Sequence, residues 1–248
     1  MRLLYWMVSA TICITGWAQG SVAVINYSGF DTKAPVAPGS IASAYGEFGS
    51  IQTTAWSANV PEMPRELATV KVKISGADAP LYFVSSSQIN FNIPGSTPTG
   101  QQTVEVVVGS HVVAKGTVLI YDFFPALAAR TADSTRPGVI LNEDNSDNLS
   151  TPAGRGSVIQ LFATGCGATN PPAVDGIPAG AAAPVTGKIQ AYVSWDEAEV
   201  LYAGQQPQFP GVCQVNIRIP DKSYITGDVP LFIKMNGIAS NPVSVKVQ

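Results

Sequence analysis

The side chain best suited to acid–base chemistry near neutral pH occurs once in the sequence, as His111. A Ser-His-Asp hydrolase needs its histidine within hydrogen-bond reach of the nucleophile. His111 instead follows Gly109 and Ser110 between two stretches of alternating apolar residues, which is the pattern of a hairpin turn. The sequence contains no G-x-S-x-G elbow, P-loop or G-x-G-x-x-G fingerprint. We therefore predict no catalytic residue, no cofactor and no enzymatic activity.

Two groups of carboxylates could act on a glycosidic bond or hold a cation. Asp196, Glu197 and Glu199 are of the residue type that a glycosidase uses, but they follow a strand-like stretch and fit the tip of a hairpin. The acidic segment 143–148 offers oxygen ligands for calcium, yet it lacks the glycine and glutamate that an EF-hand loop requires. Solvated turns are the favoured interpretation of both groups, with a carboxylate-pair hydrolase and a calcium loop as alternatives.

Aromatic side chains with nearby amides are a common means of holding sugars. A β-sandwich also needs aromatic residues for packing, so packing in a core or between domains is the favoured interpretation of each candidate. The candidates are Trp56, Trp195, Tyr45, Tyr82, Tyr192 and Tyr202. Trp56 is singled out as a possible ligand contact because residues 52–59 have the composition of an irregular polar loop, where an exposed tryptophan would indicate function.

The overall composition excludes several classes of protein. Hydrophobic residues make up 46% of the chain and charged residues 12%, against about 25% charged residues in an ordinary soluble domain. This is a globular composition rather than one of charge-driven disorder. A net charge of -3 leaves no broad basic surface for neutralising phosphates, so we predict no nucleic-acid partner.

Residues 1–20 have the layout of a secretory signal peptide. Arg2 precedes an apolar stretch that ends at Trp17, and a small-x-small triplet, 18–20, follows it. The apolar stretch is shorter than the roughly 20 residues that a membrane span needs, and no later segment is long and apolar enough either. We predict cleavage after Gly20 and a secreted mature chain, extracellular or in the periplasm or cell envelope, with no membrane span.

Export changes the interpretation of the cysteines. Cys13 would leave with the signal peptide, so that Cys166 and Cys213 reach an oxidising compartment. Two cysteines there favour one disulfide, with two separate buried thiols as the alternative. A metal site would need more ligands than two thiols and the distant His111, so we predict no metal.

The remaining chain contains two copies of one pattern. Residues 38–46 correspond to 155–165, and residues 88–94, QINFNIP, correspond in the same order to 214–220, QVNIRIP. Apolar residues alternate with polar ones within the blocks, which indicates half-buried strands, and Gly and Pro clusters separate the blocks as turns do. The sequence therefore predicts an all-β fold of two tandem immunoglobulin-like β-sandwich domains. We place them at residues 21–122 and 123–248.

The same blocks resemble the Solibacter-type uncharacterised C-terminal domain family of exported acidobacterial proteins. The resemblance covers residues 22–247 and depends on five blocks: 37–46, 79–90, 161–165, 214–216 and 240–242. It implies tandem immunoglobulin-like units of the IPT/TIG kind. It implies no activity and no catalytic residues, because none is assigned in that family.

These observations favour a non-enzymatic exported protein that serves as an adhesion, scaffold or protein-interaction module at the cell envelope or outside the cell. The alternative is a carbohydrate-binding module that uses loop aromatics such as Trp56. The predicted partner is accordingly an unknown protein or an extracellular polysaccharide.

Overall fold

The structure, a computed structural model, describes residues 20–28, 34–133 and 135–248. Every regular element in these residues is a β-strand, which confirms the predicted all-β class. Across the same residues there is no helix with the length and apolar character that crossing a membrane requires. The predicted signal peptide lies outside the described residues except for Gly20.

The first half of the fold is a two-layer sandwich. Its strands are β1 (Val22–Asn26), β2 (Ile41–Gly46), β3 (Thr54–Ala55), β4 (Val70–Ile74), β5 (Ala77–Asp78), β6 (Leu81–Val84), β7 (Gln88–Asn92), β8 (Gly100–Val108) and β9 (His111–Ile120). One sheet has the order β1-β2-β7-β6-β3 and the other has the order β5-β4-β8-β9. All the pairings between these strands are antiparallel.

Alternation along the strands creates the core of this first sandwich. In β4, Val70, Val72 and Ile74 are buried while the lysines between them are only half-buried. These residues pack in one apolar cluster with Ile89 and Phe91 of the facing sheet. Because side chains of a strand alternate between faces, this pattern places one side of each sheet inside the sandwich.

The second half of the fold contains ten strands. They are β10 (Ala126–Leu127), β11 (Ile140–Asn142), β12 (Val158–Thr164), β13 (Ala183–Pro184), β14 (Ile189–Val193), β15 (Asp196–Gln205), β16 (Cys213–Arg218), β17 (Gly227–Met235), β18 (Ile238–Ala239) and β19 (Val243–Val247). They form one hydrogen-bonded sheet with the central order β10-β12-β16-β15-β14-β17-β18, to which β11, β13 and β19 add at the sides.

This sheet folds over one core through the long strand β15. The first residues of β15 pair with β14, its remaining residues pair with β16, and the register shifts between Val200 and Tyr202. A bulge of this kind bends a strand and increases its twist. One apolar cluster contains Ile159 and Ile217 from one side of the bend and Ala191 and Leu231 from the other. The second half is therefore also a β-sandwich, and the immunoglobulin-like fold class is confirmed.

The two predicted repeat blocks occupy equivalent places in the two sandwiches. In the first, Ile41 of β2 pairs with Asn92 of β7, and in the second Val158 of β12 pairs with Arg218 of β16. These are the residues that the sequence blocks align with each other. Equivalent pairings of this kind are expected if the two halves arose by duplication. The tandem repeat itself stays a prediction, as do the domain limits at residues 122 and 123.

Hydrogen bonds join the two sandwiches. The hydroxyl of Thr164 accepts from the backbone N–H of Ile41 at 2.8 Å and donates to the carbonyl of Gly211 at 2.9 Å. Tyr82 donates its hydroxyl hydrogen to the carbonyl of Pro210. The outer face of β7 is consequently buried as well, so that Asn92 is almost inaccessible although the sequence pattern places it on a polar face.

Candidate functional site

Cys166 and Cys213 form a disulfide, with their Cα atoms 6.3 Å apart. Both residues lie in the segments that contact the first sandwich, because Cys166 follows Thr164 closely and Cys213 follows Gly211. Both are buried in the core of the second sandwich. Of the two alternatives for these cysteines, the disulfide is the one present.

The Trp56 side chain packs against neighbouring residues. Its side chain is 5% exposed, its ring meets Tyr82 edge to face at a centroid distance of 5.6 Å, and its indole N–H donates to the carbonyl of Glu62 at 3.2 Å. The cluster that contains it also takes Phe209 from the second sandwich. Residues 57–60 beside Trp56 are exposed, so the ring is removed from solvent by these contacts and not by cover over the loop. The exposed tryptophan expected in this polar loop is not found, and the ligand contact stays a prediction.

The titratable candidates lie in turns. His111 is exposed at the β8–β9 hairpin, with the hydroxyl of Ser110 at 3.3 Å from its Nδ1. In the acidic segment, Asp144 accepts a hydrogen bond from the backbone N–H of Ser146 at 2.9 Å, the geometry of an Asx turn. Hydrogen bonding from the side chain of Ser146, together with this backbone bond, lowers the pKa of Asp144. Across the described ranges, no group of three His, Cys, Asp or Glu residues could hold a metal ion.

Asp147 of the acidic segment has a structural partner. It forms an ion pair with the buried guanidinium of Arg130, whose Nη2 donates to both carboxylate oxygens, at 2.7 and 2.8 Å. Such a pair fixes the segment against the body of the sandwich. The favoured interpretation of this segment as a turn agrees with the geometry.

A cleft of about 780 Å³ lies between the sandwiches beside the disulfide. Turn backbone forms most of its walls, and the side-chain oxygen of Gln205 is buried there without a hydrogen-bond partner within the described chain. The two carboxylates at its rim are Asp122 and Asp175, and Asp175 accepts from the backbone N–H of Gly95 at 2.7 Å. The cleft can hold water or a small polar molecule.

The β14–β15 hairpin carries a strongly exposed aromatic residue. Ser194 and Trp195 form its two-residue turn, with φ values of 50° and 74°, and the Trp195 side chain is 74% exposed. Two positive φ values define the type I′ hairpin turn, which favours Asn and Gly. A bulky side chain at positive φ is a conformational outlier, and such outliers concentrate at functional sites. Trp195 is thus placed in solvent at a cost to the backbone.

Behind Trp195, cross-strand neighbours on β14 and β17 form a stack. The Phe232 ring lies 5.5 Å from the Trp195 ring, tilted by 57°. Phe232 also stacks on Tyr192 at 4.9 Å and 13°, since Tyr192 pairs with Phe232 in the sheet register. The ammonium group of Lys234 lies 5.1 Å from the centre of the Tyr192 ring. We call Tyr192, Trp195, Phe232 and Lys234 the tip cluster.

Hydrogen-bonding groups surround the tip cluster. Tyr224, which is 61% exposed, donates its hydroxyl hydrogen to Asp196 at 2.7 Å, and this bond raises the pKa of Tyr224. The amide of Gln190 donates to Glu197 at 3.0 Å and to the hydroxyl of Tyr192 at 3.3 Å. Glu197 pairs across the hairpin with Tyr192 and so presents a carboxylate on the aromatic face, whereas Asp196 pairs with the buried Val193 and lies on the other face of the hairpin.

Trp195 does not pack in a core or between domains, so the interpretation favoured from the sequence is wrong for this residue. The relevant local pattern is the alternation of Gln190 and Tyr192 with the buried Ala191 and Val193. It places Tyr192 on the outer face, and the turn that follows cannot bury Trp195. The hairpin tip predicted for Asp196, Glu197 and Glu199 lies instead at Ser194 and Trp195, because the three carboxylates are already in the paired strand β15.

No family model matches the chain, and no curated protein matches it. Similar solved structures include the Bacteroides ovatus mixed-linkage glucan utilization locus SGBP-B in complex with a mixed-linkage heptasaccharide, at 11% identity and a TM-score of 0.36, covering 89% of this chain and 45% of that one. Domains 5–6 of the S-layer protein SbsC are 14% identical, with a TM-score of 0.30 and coverages of 93% and 97%. The Escherichia coli adhesin FdeC is 12% identical, with a TM-score of 0.24 and coverages of 93% and 65%. The chain spans less than half of the first of these proteins. TM-scores this low identify neither a shared fold nor a shared ligand.

Proposed function

We propose that this protein is an exported, non-enzymatic interaction module that binds a partner at the cell envelope or outside the cell. The observation that carries the proposal is the tip cluster, in which an exposed Trp195 is held at a hairpin turn by stacked rings. Water-exposed indole that is held in one orientation loses little conformational entropy when a partner covers it. This arrangement suits binding.

Covering the Trp195 ring with a partner contributes a measurable part of the binding free energy. Burying about 100 Å² of indole surface contributes roughly 2.5 kcal/mol at about 25 cal/mol per Å². The stack behind the ring limits its motion, so little of this gain is lost in ordering the side chain. Truncation of Trp195 should therefore weaken binding by about 2 kcal/mol, or roughly thirtyfold.

Residues distant from the tip cluster support export and a structural role for the rest of the chain. A buried disulfide is typical of oxidising compartments. Hydrogen bonds from Thr164 and Tyr82 hold the two sandwiches together, so that the second sandwich projects the hairpin from a supported base. Membership of the Solibacter-type family and the IPT/TIG character of the units are part of the same proposal.

The test is cosedimentation of the protein, purified after export, with cell-envelope material from the organism that produces it. We expect saturable binding that Trp195→Ala weakens roughly thirtyfold. The matched control is Tyr121→Ala, which removes a 45% exposed aromatic residue from the other sandwich and should leave binding unchanged. Equal binding by both variants would refute the proposal.

A further inference from the structure

We propose that the occupant of the tip cluster is a neutral polysaccharide, with one pyranose ring stacked on the open face of Trp195. This inference depends on the proposed function, since it names the partner that the same surface binds. Three properties of the site support it: the shape of the apolar surface, the hydrogen-bonding capacity of the rim and the local charge.

The apolar surface of the site has the size of a single sugar ring. Phe232 contacts both Tyr192 and Trp195, and the ammonium group of Lys234 lies 5.1 Å from the centre of the Tyr192 ring and 6.0 Å from that of Phe232. Tyr192 and Phe232 are half-buried, so the most exposed aromatic face of the cluster is that of Trp195. The C–H groups on one face of a pyranose carry partial positive charge, and they match the negative face of an indole ring.

A protein partner fits this surface poorly. A stable protein interface buries about 800 Å² on each partner around a continuous hydrophobic centre. The tip cluster instead offers one strongly exposed ring at a two-residue turn, two carboxylates follow that ring in the chain at Asp196 and Glu197, and Lys234 lies over the neighbouring rings. A flat ring with polar groups at its edge is suited to a small amphipathic ligand unit rather than to a broad protein surface.

The rim is rich in hydrogen-bond acceptors. Asp196 accepts from Tyr224 and Glu197 accepts from Gln190, and each carboxylate retains further lone pairs. Sugar hydroxyl groups are donors that such oxygens can bind. The hydrogen bond from Gln190 holds Glu197 on the face of the stacked rings, which lowers the entropic cost of binding there.

Charge determines which polysaccharides fit. Asp196 and Glu197 lie beside Trp195 in the chain, and the nearby Glu199 is already paired with Arg218. Lys234 is directed over the rings of Tyr192 and Phe232. An acidic polymer, or a membrane surface of anionic lipid, would bring negative charge against two carboxylates. A neutral chain meets no such repulsion.

The experiment uses the protein purified after export, in which Trp56 and Trp195 are the tryptophans of residues 21–248. Affinity electrophoresis is run in gels that contain neutral polymers (hydroxyethylcellulose, arabinoxylan or galactomannan) or acidic ones (polygalacturonate or alginate). We expect a neutral polymer to retard the protein, Trp195→Ala to raise the Kd about tenfold or more, and Tyr121→Ala to have no effect. In Trp56→Phe, the fluorescence of Trp195 should shift to shorter wavelength with the same polymer.

A second arm separates this inference from the proposed function. Envelope material is treated either with periodate, which cleaves the vicinal diols of sugars, or with protease, and cosedimentation is repeated. Loss of Trp195-dependent binding after periodate supports the inference, and it does so even when the envelope polysaccharide is not one of the polymers tested in the gels. Loss after protease alone, retardation by acidic polymers alone, or neutral-polymer binding unchanged in Trp195→Ala overturns it. Binding to envelope material that is equally tight in the wild type and in Trp195→Ala would overturn the proposed function itself.

Discussion

Removal of the disulfide should destabilise the second sandwich by an amount that the loop length sets. Cys166 and Cys213 are separated by 47 residues. In the chain-entropy model, a cross-link that closes such a loop lowers the entropy of the unfolded chain enough to contribute about 4 kcal/mol at 25 °C. The value is an upper estimate, since unfolded chains retain some structure.

The perturbation is the double variant Cys166→Ala with Cys213→Ala. Both cysteines are 5% exposed and pack in the core, so alanine is tolerated better than a polar residue. Reduction of the wild-type disulfide is the matched control, because it removes the cross-link and keeps both sulfur atoms. The assay is guanidinium unfolding followed by far-UV circular dichroism.

We expect both perturbations to lower the unfolding midpoint by about 1 M, given a slope of roughly 4 kcal/mol per M for a domain of this size. A shift in the double variant without a shift on reduction would assign the effect to lost packing. A midpoint unchanged in both would refute the argument that the cross-link restricts the unfolded chain.

Three further changes test other parts of the fold by the same unfolding assay. Gly165→Ala should destabilise by more than about 2 kcal/mol, because φ is +76° there and the added Cβ would lie 2.1 Å from the carbonyl oxygen of Phe124; a stability equal to wild type would contradict that contact. Asp147→Asn should cost about 3 kcal/mol, since it removes the carboxylate bound to the 6% exposed Arg130, and a loss below about 1 kcal/mol would argue against the pair. Burial raises the pKa of Tyr27 to about 12 from an ordinary 10.0, so the unfolded state ionises first and stability should fall between pH 10 and pH 12; Tyr27→Phe should make that fall shallower, and an identical pH profile would contradict the assignment.

The sequence predicts the faces of the strands where only local pattern matters. Alternation in β4 identifies Val70, Val72 and Ile74 as core residues, and the structure buries all three. The pattern fails at Asn92 of β7, which is polar yet buried. Its amide donates to the carbonyls of Gly39 and Ser40, and the second sandwich covers it. Contacts between distant segments decide that burial, and a local pattern does not contain them.

The two tryptophans show the same limit at the candidate site. Trp56 lies in a polar loop and is buried, because Phe209 of the second sandwich packs in its cluster. Trp195 follows a strand rich in apolar residues and is exposed, because it occupies a turn position. Composition near a residue did not distinguish these outcomes. The turn position of Trp195 distinguishes the two tryptophans, since the two residues between paired strands point away from both sheets.

The claim that the tip cluster is the binding surface is tested most directly by an NMR titration that follows the indole N–H signals of the ¹⁵N-labelled exported protein. Trp56 and Trp195 each contribute one signal, so the buried Trp56 serves as an internal control. On titration with the neutral polysaccharide that binds most tightly, or with soluble fragments released from the envelope, we expect the Trp195 signal to shift or broaden while the Trp56 signal stays in place. Binding that leaves the Trp195 signal unchanged, or that moves the Trp56 signal alone, would contradict the account.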